Sequence, residues 1–176
     1  NSGPGAVAGA FVHERHTATR PRQLKRFAGW WGNDPATRFR MGPEFVPVAS
    51  ADAWQLSNPP ILALAPVKAS LDIFDRAGIA AIRDKSVKLT GYMEWLIDRW
   101  CGGKVRSLTP RDAGQRGAQL SLVVPGAGRA IEEKLHERGV WVDYREPDVF
   151  RAAPTALYNS FGDVRRFVGI LREVVG

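Results

Sequence analysis

The hydrophobic pattern of residues 116–153 switches from that of a strand to that of a helix and back, in the run RGAQLSLVVPGAGRAIEEKLHERGVWVDYREPDVFRAA. RGAQLSLVV alternates as a strand does, and GRAIEEKLHERG has the apolar spacing of a short amphipathic helix that ends at Gly139. VWVDYR and DVFRAA have the composition of two further strands. With the helix that follows, this stretch predicts a β-α-β-β-α unit, a small α+β domain of residues 104–176.

The helix that completes this unit is predicted from Phe161 to Val175. Ser160 precedes it, and Asp163 lies three residues further on, which is close to the spacing of a capping box. Its apolar face consists of Val164, Phe167, Val168 and Leu171. We expect this face to pack against the predicted strands.

Two longer helices are predicted before this unit. Apolar residues recur at helical spacing ahead of Gly78, at Val67, Leu71 and Phe74. Pro66 belongs either to the first turn of that helix or to the interior of a longer helix that begins near Ile61, and the sequence leaves both open. The second helix is predicted from Ile79 to Trp100.

That second helix carries two helical signals. Its apolar stripe consists of Ile82, Leu89, Met93, Leu96 and Trp100. Asp84 stands four residues before Lys88, a spacing that favours an ion pair on a helix surface. Residues 59–103 are therefore predicted to be connecting helices between residues 1–58, which are dense in turn-forming glycine and proline, and the small domain.

Composition indicates a globular, intracellular protein. The chain has 176 residues, of which 44% are apolar, and one cysteine, Cys101, so an internal disulfide framework is excluded. No apolar run approaches the roughly 20 residues that span a membrane. We expect a cytoplasmic location and no membrane partner.

The net charge of +7 has two interpretations. A cluster of basic residues without intervening acids is formed by Arg15, Arg20, Arg22, Lys25 and Arg26. One interpretation is a non-catalytic module that binds an acidic partner or nucleic acid. The other, which we favour, is a solvated basic segment, because the sequence has no helix-turn-helix, zinc-ligand or RNA-binding motif beside it.

Isolated reactive residues give weak signals. His13 and His16 are three residues apart, but neighbouring glycines argue against the helix that a shared metal would need. His136 lies in an amphipathic helix and is interpreted as a surface histidine. Cys101 follows a helix end, which favours a structural thiol over a nucleophile.

Three motifs carry a more specific signal: GWWGND at 29–34, QLSNPP at 55–60 and FRAAPTALYNSF at 150–161. Together with the opening NSGPGAVAGAFVHERH, TRFRMGPEF, ASLDIFDRAG and KSVKLTGYMEWLI, they resemble the kynureninase family. These are enzymes of the fold-type-I aminotransferase superfamily that depend on pyridoxal 5'-phosphate (PLP). A desulfurase or an aminotransferase of the same superfamily would share the small domain and Arg151, but not GWWGND followed by QLSNPP.

The resemblance implies an α/β fold in two parts. Residues 1–58 correspond to the end of the large PLP-binding domain, and the small α+β domain follows the connecting helices. The family's Schiff-base lysine lies just before the glycine-rich stretch with which this chain begins, so we expect the chain to be the carboxy-terminal part of the enzyme and to be inactive without its amino-terminal part. The lysines that do not match that position are Lys25, Lys68, Lys85, Lys88, Lys104 and Lys134.

The resemblance also implies roles for five residues. Trp30 and Ser57 match contacts to the cofactor phosphate, Trp30 acting across the subunit interface of a homodimer. Asn58 matches the residue that faces the aryl end of the substrate, and Trp31 belongs to the same pocket. Arg151 matches the arginine that binds the substrate α-carboxylate, for which a bidentate guanidinium is suited.

The implied reaction is hydrolytic cleavage of the Cβ–Cγ bond of L-kynurenine or 3-hydroxy-L-kynurenine in tryptophan catabolism. Its products are L-alanine and anthranilate or 3-hydroxyanthranilate. Asn58 leads us to expect tolerance of the 3-hydroxyl group. Two positions depart from the family pattern: Asn33, where histidine is frequent, and Trp31, where some members have phenylalanine.

Overall fold

The computed structural model describes residues 2–17 and 24–176, and the chain divides into two units, Asn1–Phe74 and Asp75–Gly176. The first unit consists mainly of loops, as its glycine and proline content predicts. Its short elements are 3-10 turns at Glu14–His16 and Ala51–Trp54, followed by the start of a long helix.

Helix α1 spans Ile61–Ala77 and contains Pro66 in its interior. Of the two alternatives for Pro66, the structure therefore has the longer helix, which begins at Ile61. None of the residues of α1 is buried by the described part of the chain, and Leu62 is 87% exposed. The helix is supported locally, for example by the ion pair of Lys68 with Asp72 at 2.7 Å.

Helix α2 spans Ile79–Trp100, as predicted, and begins after Gly78, whose φ of 77° favours glycine. The centre of its predicted apolar stripe is buried at Leu89, Met93 and Leu96. The ion pair predicted on its surface is present, with Lys88 Nζ at 2.6 Å from Asp84 Oδ2.

Within residues 75–176, all of which are described, four strands form one antiparallel sheet in the order β1-β2-β4-β3. The strands are β1 (Arg106–Ser107), β2 (Leu120–Val123), β3 (Asp143–Arg145) and β4 (Val149–Ala152). Helix α3 (Arg129–Glu137) connects β2 to β3, and helix α4 (Phe161–Val175) follows β4.

The core of this second unit lies on one face of the sheet. Alternate residues of β2 and β4 point into it, among them Leu120, Leu122 and Phe150, each at most 1% exposed. They pack in one cluster with α2 residues such as Leu89 and with Val168 of α4. The opposite face of these strands includes partly exposed residues, among them Arg151 of the candidate site.

The predicted β-α-β-β-α unit is confirmed with one additional strand, and its strands are shorter than predicted: β3, for example, covers only Asp143–Arg145 of the predicted 140–145. The short strand β1 was not predicted, because its two residues, Arg106 and Ser107, have no apolar alternation and pair only with the edge of β2. The strand predicted over 116–124 is shorter, Leu120–Val123. Arg116, at the start of the predicted strand, instead forms an ion pair with Glu94 of α2 at 2.8 Å.

The capping box of α4 is present. The Ser160 hydroxyl oxygen accepts a hydrogen bond from the Asp163 amide at 3.2 Å, and the Asp163 carboxylate accepts one from the Ser160 amide at 2.7 Å. Across the described ranges, no helix is both long and apolar enough to cross a membrane.

Candidate functional site

In the first unit, two glycines allow the tryptophan loop to lie directly on the backbone of the segment before Ser57. A Cβ atom added at Gly32 would approach the Ala53 carbonyl oxygen to 2.6 Å. A Cβ atom at Gly29 would overlap the backbone of Leu56. Only glycine fits at either position without movement of the neighbouring chain. The motifs GWWGND and QLSNPP, which are separate in sequence, are therefore neighbours in the structure.

Asn33 fixes the shape of this loop. Its side-chain Oδ1 accepts hydrogen bonds from the amides of Val46 and Asp34, each at 3.1 Å. Arg38 donates to the Asn33 carbonyl oxygen at 3.1 Å and places its guanidinium 4.6 Å from the Trp31 ring centre. The Asn33 side chain is thus engaged with the backbone of its own chain.

The two residues assigned to the aryl pocket contact each other directly. The Trp31 indole Nε1 donates a hydrogen bond to Asn58 Oδ1 at 2.7 Å. An asparagine amide has one accepting and one donating end, so this bond leaves the Nδ2 end of Asn58 to meet a ligand. In this arrangement Asn58 is a hydrogen-bond donor toward an acceptor such as a ketone oxygen.

Trp30 and Ser57 follow directly after Gly29 and Leu56, the two residues in backbone contact. The Trp30 side chain is 57% exposed and packs edge-on against Phe39 with ring centres 5.6 Å apart. Within residues 2–17 and 24–176, neither the Trp30 indole N–H nor the Ser57 hydroxyl has a hydrogen-bond partner. Two exposed, uncommitted donors on adjacent segments suit an anionic group such as a phosphate.

Arg151 lies in the second unit, on β4, with its side chain on the sheet face opposite the core. Its Nε and Nη2 atoms both bond Asp143 Oδ2 on the neighbouring strand β3. Asp143 and Arg151 are directly opposite each other in the strand register. The Arg151 side chain is 39% exposed, so it remains accessible to a ligand while this ion pair is made. Sequence analysis did not identify Asp143.

The other reactive residues are engaged locally. His13 Nδ1 accepts from the Arg15 amide at 3.1 Å, and His16 Nε2 accepts from Arg15 Nε at 3.0 Å. Among the residues that the structure describes, no group of three metal-ligating side chains comes together. Cys101 is buried, and burial raises the pKa of its thiol, which favours the structural role.

His136 is only partly exposed, and its ring stacks on Trp141 with ring centres 4.4 Å apart.

Arg20 and Arg22, which belong to the basic cluster, lie outside the described residues. Arg26 of that cluster stacks on the Trp54 ring at 4.4 Å. The cluster therefore has at least one member that packs against its own chain.

Solved structures with a fold similar to that of this chain include a cysteine desulfurase and a cystine C-S lyase. A cysteine desulfurase from Thermococcus onnurineus NA1 matches with a TM-score of 0.65 and 18% identity over 85% of this chain and 38% of its own. A cystine C-S lyase, solved with its product cysteine persulfide, matches with a TM-score of 0.62 and 18% identity, covering 84% of this chain and 38% of that one. The chain thus has the fold of the corresponding part of these fold-type-I enzymes, as predicted.

Sequence comparison narrows this class to a single family. The family model described as the kynureninase C-terminal domain matches residues 82–171. The kynureninase of Myxococcus xanthus is 56% identical over 97% of this chain, and that of Stenotrophomonas maltophilia is 57% identical over 96%. The chain belongs to the kynureninase family, and it spans about 40% of the length of these relatives.

Proposed function

We propose that this chain forms the carboxy-terminal part of a kynureninase, a PLP-dependent hydrolase that cleaves L-kynurenine, 3-hydroxy-L-kynurenine or both. The observation that carries the proposal is the hydrogen bond between Trp31 and Asn58, 27 residues apart. Both residues were assigned to the aryl pocket from separate motifs, and their side chains meet. Identity above 50% to kynureninases over nearly the whole chain supports the same conclusion.

The residues present fit PLP through its phosphate. Trp30 and Ser57 would donate hydrogen bonds to phosphate oxygens, since both donors are exposed and uncommitted within the described residues. PLP, when bound, supplies an electron sink for the cleavage of bonds in the amino acid portion of the substrate. The role of Trp30 and Ser57 is to hold and orient that group.

Arg151 and Asn58 would bind opposite ends of the substrate. The Arg151 guanidinium would bind the α-carboxylate with two parallel hydrogen bonds. The Asn58 amide would donate to the aryl ketone oxygen, where negative charge develops when water attacks the carbonyl carbon. Fixing both ends orients the Cβ–Cγ bond that lies between them.

The proposal gives this chain binding and orienting roles and assigns the proton transfers of the Schiff-base lysine to the remaining part of the enzyme. It further places the enzyme in the cytoplasm, as a homodimer that acts in tryptophan catabolism. The buried single thiol, Cys101, is consistent with a reducing compartment. The homodimer and the pathway rest on the family resemblance.

The test is product analysis with a PLP-loaded holoenzyme that contains this chain. Incubation with L-kynurenine should release anthranilate and L-alanine in equal amounts, and 3-hydroxy-L-kynurenine should give the hydroxylated product. L-cysteine is the control substrate, because desulfurases share the fold, and we expect no sulfide from it. A PLP-loaded enzyme that cleaves neither L-kynurenine nor 3-hydroxy-L-kynurenine would contradict the proposal. Release of sulfide from L-cysteine would instead indicate a desulfurase.

A further inference from the structure

The outer face of the sheet carries a polar row that crosses three strands. In the strand register Ser121 of β2 lies opposite Arg151 of β4, and Arg151 lies opposite Asp143 of β3. Side chains at directly opposed positions project on the same face of a sheet. Arg145 shares this face with Asp143, because residues two apart on a strand point the same way.

Asp143 is the acceptor for both arginines in this row. Its Oδ2 atom is bonded by Nε and Nη2 of Arg151 and lies 3.1 Å from Nε of Arg145. The bond to Arg151 uses the side edge of the guanidinium, which is formed by Nε and one proton of Nη2. Among the described residues nothing bonds Nη1, so the terminal edge formed by Nη1 and Nη2 is left for a ligand.

The charges of this cluster favour an anion at that edge. Arg145 and Arg151 contribute two positive charges and Asp143 one negative charge, so the cluster retains one net positive charge. All three side chains are partly exposed, at 60%, 39% and 45% respectively, so a ligand can reach them. A monovalent carboxylate would complete the charge balance and could form two parallel bonds with the free edge.

We propose that Asp143 is a positioning residue for substrate capture: it holds the side edge of the Arg151 guanidinium so that the terminal edge is presented to the substrate α-carboxylate. This inference rests on the proposed function of Arg151. An arginine side chain has several rotatable bonds, and ordering it only on binding would weaken capture. Asp143 orders it beforehand, so the loss of rotamer freedom does not oppose substrate binding.

The test compares Asp143→Asn with the unmodified holoenzyme. Asparagine has nearly the same shape as aspartate but no charge, so the side chain still fits while its hydrogen bonds to Arg151 become weaker. We expect KM for L-kynurenine to rise about tenfold while kcat stays within about twofold, because the effect is on capture of the carboxylate. Asp143→Glu restores the charge and should recover part of the lost affinity.

Two inhibitors distinguish positioning from general damage. L-alanine carries the α-carboxylate, whereas 2-aminoacetophenone carries only the aryl ketone. In Asp143→Asn the inhibition constant of L-alanine should rise about as much as KM, and that of 2-aminoacetophenone should not change. Equal weakening of both inhibitors would mean that the substitution disturbs the whole site, and would overturn the proposal.

Glu173→Gln is the matched control. Glu173 pairs with Arg138 at 2.9 Å, and both side chains are about half exposed, as in the Asp143 pair. This variant should leave KM and both inhibition constants unchanged. If the unmodified enzyme is active and Asp143→Asn has the same KM, the role of Asp143 alone is overturned. If the PLP-loaded unmodified enzyme does not turn over kynurenine, the proposed function is overturned as well.

Discussion

Among the single residues, Trp31 decides which end of the Asn58 amide a ligand meets. The indole has one hydrogen and donates it to Asn58 Oδ1 at 2.7 Å, so the amide cannot turn without losing that bond. The Arg38 guanidinium beside the indole ring holds Trp31 from the other side. Asn58 is thus a fixed donor, which suits a ketone oxygen better than a ring hydroxyl proton.

The substitution Trp31→Phe tests this arrangement. It removes the N–H donor and keeps an aromatic ring, so the Asn58 amide becomes free to rotate. We expect kcat/KM of the holoenzyme for L-kynurenine to fall about five- to tenfold, the value of roughly one hydrogen bond. The loss for 3-hydroxy-L-kynurenine should be smaller, because the released amide can turn its oxygen toward the ring hydroxyl.

The control for this prediction is Trp95→Phe, which changes a half-exposed tryptophan of α2. It should leave both kcat/KM values unchanged. An unchanged ratio between the two substrates in Trp31→Phe would show that the indole does not set the orientation of Asn58.

The motifs led to the proposed site residues through the family resemblance, but they did not predict the contacts of those residues. Trp31 and Asn58 were assigned to one pocket by resemblance, and the hydrogen bond between them depends on how two loops cross. Asp143 had no signal in the sequence, since an acidic residue in VWVDYR looks like an ordinary surface charge. Its position opposite Arg151 follows from the strand register, which composition does not reveal.

At the level of elements, the two loops of the first unit are held together at Gly29 and Gly32. We predict that Gly32→Ala weakens PLP binding by about tenfold, because the added methyl group would press on the Ala53 carbonyl oxygen at 2.6 Å and push the loops apart. Fluorescence or absorbance titration of the apoenzyme with PLP measures this change.

Gly42→Ala is the matched control for this titration, since nothing lies within 4 Å of its added Cβ atom. It should bind PLP as the unmodified enzyme does. Equal PLP affinity in Gly32→Ala and Gly42→Ala would contradict the close approach of the two loops.

The start of helix α4 gives a prediction about pH. Hydrogen bonds from the Ser160 amide and hydroxyl hold the pKa of Asp163 below its ordinary value of 3.8. A carboxyl group with a lowered folded-state pKa contributes stability that is complete above its unfolded-state pKa and is lost as the pH falls through its folded-state pKa. Asp163→Asn should therefore unfold at a lower temperature than the unmodified chain at pH 7.

The two melting temperatures should converge as the pH falls below the ordinary carboxyl range, and thermal unfolding of the chain followed by circular dichroism measures this. Ser160→Ala, which removes the other half of the capping box, should cost about 1 kcal/mol of stability at pH 7. A melting difference between Asp163→Asn and the unmodified chain that is the same at every pH would contradict the role of the charge.

The helices were predictable because their signals are local. Gly78, Gly139 and the Ser160 cap mark helix ends within one turn, and the structure has helices with those bounds. The strands were less predictable, because β1 exists only through pairing with β2, and the start of β2 is shifted where Arg116 bonds Glu94. Both effects depend on residues distant in sequence.

At the scale of the whole chain, the described residues of the first unit leave many large apolar side chains exposed. Phe11, Met41 and Leu62 are each more than 85% exposed, and the first unit also presents Trp30 and Trp31. Single exposed apolar residues are ordinary, but a concentration of them marks a surface that contacts other protein. The kynureninase of Myxococcus xanthus is about two and a half times as long as this chain. We expect the additional part of the holoenzyme to cover these side chains.

The proposed role of Arg151 is tested most directly by the steady-state kinetics of Arg151→Ala in a PLP-loaded holoenzyme, with anthranilate fluorescence as the readout. This role predicts that the unmodified enzyme cleaves L-kynurenine and that the variant has a KM raised about 100-fold or more, since two charge-assisted hydrogen bonds to the α-carboxylate are lost. An unchanged KM in Arg151→Ala, or an unmodified enzyme that releases no anthranilate, would contradict it.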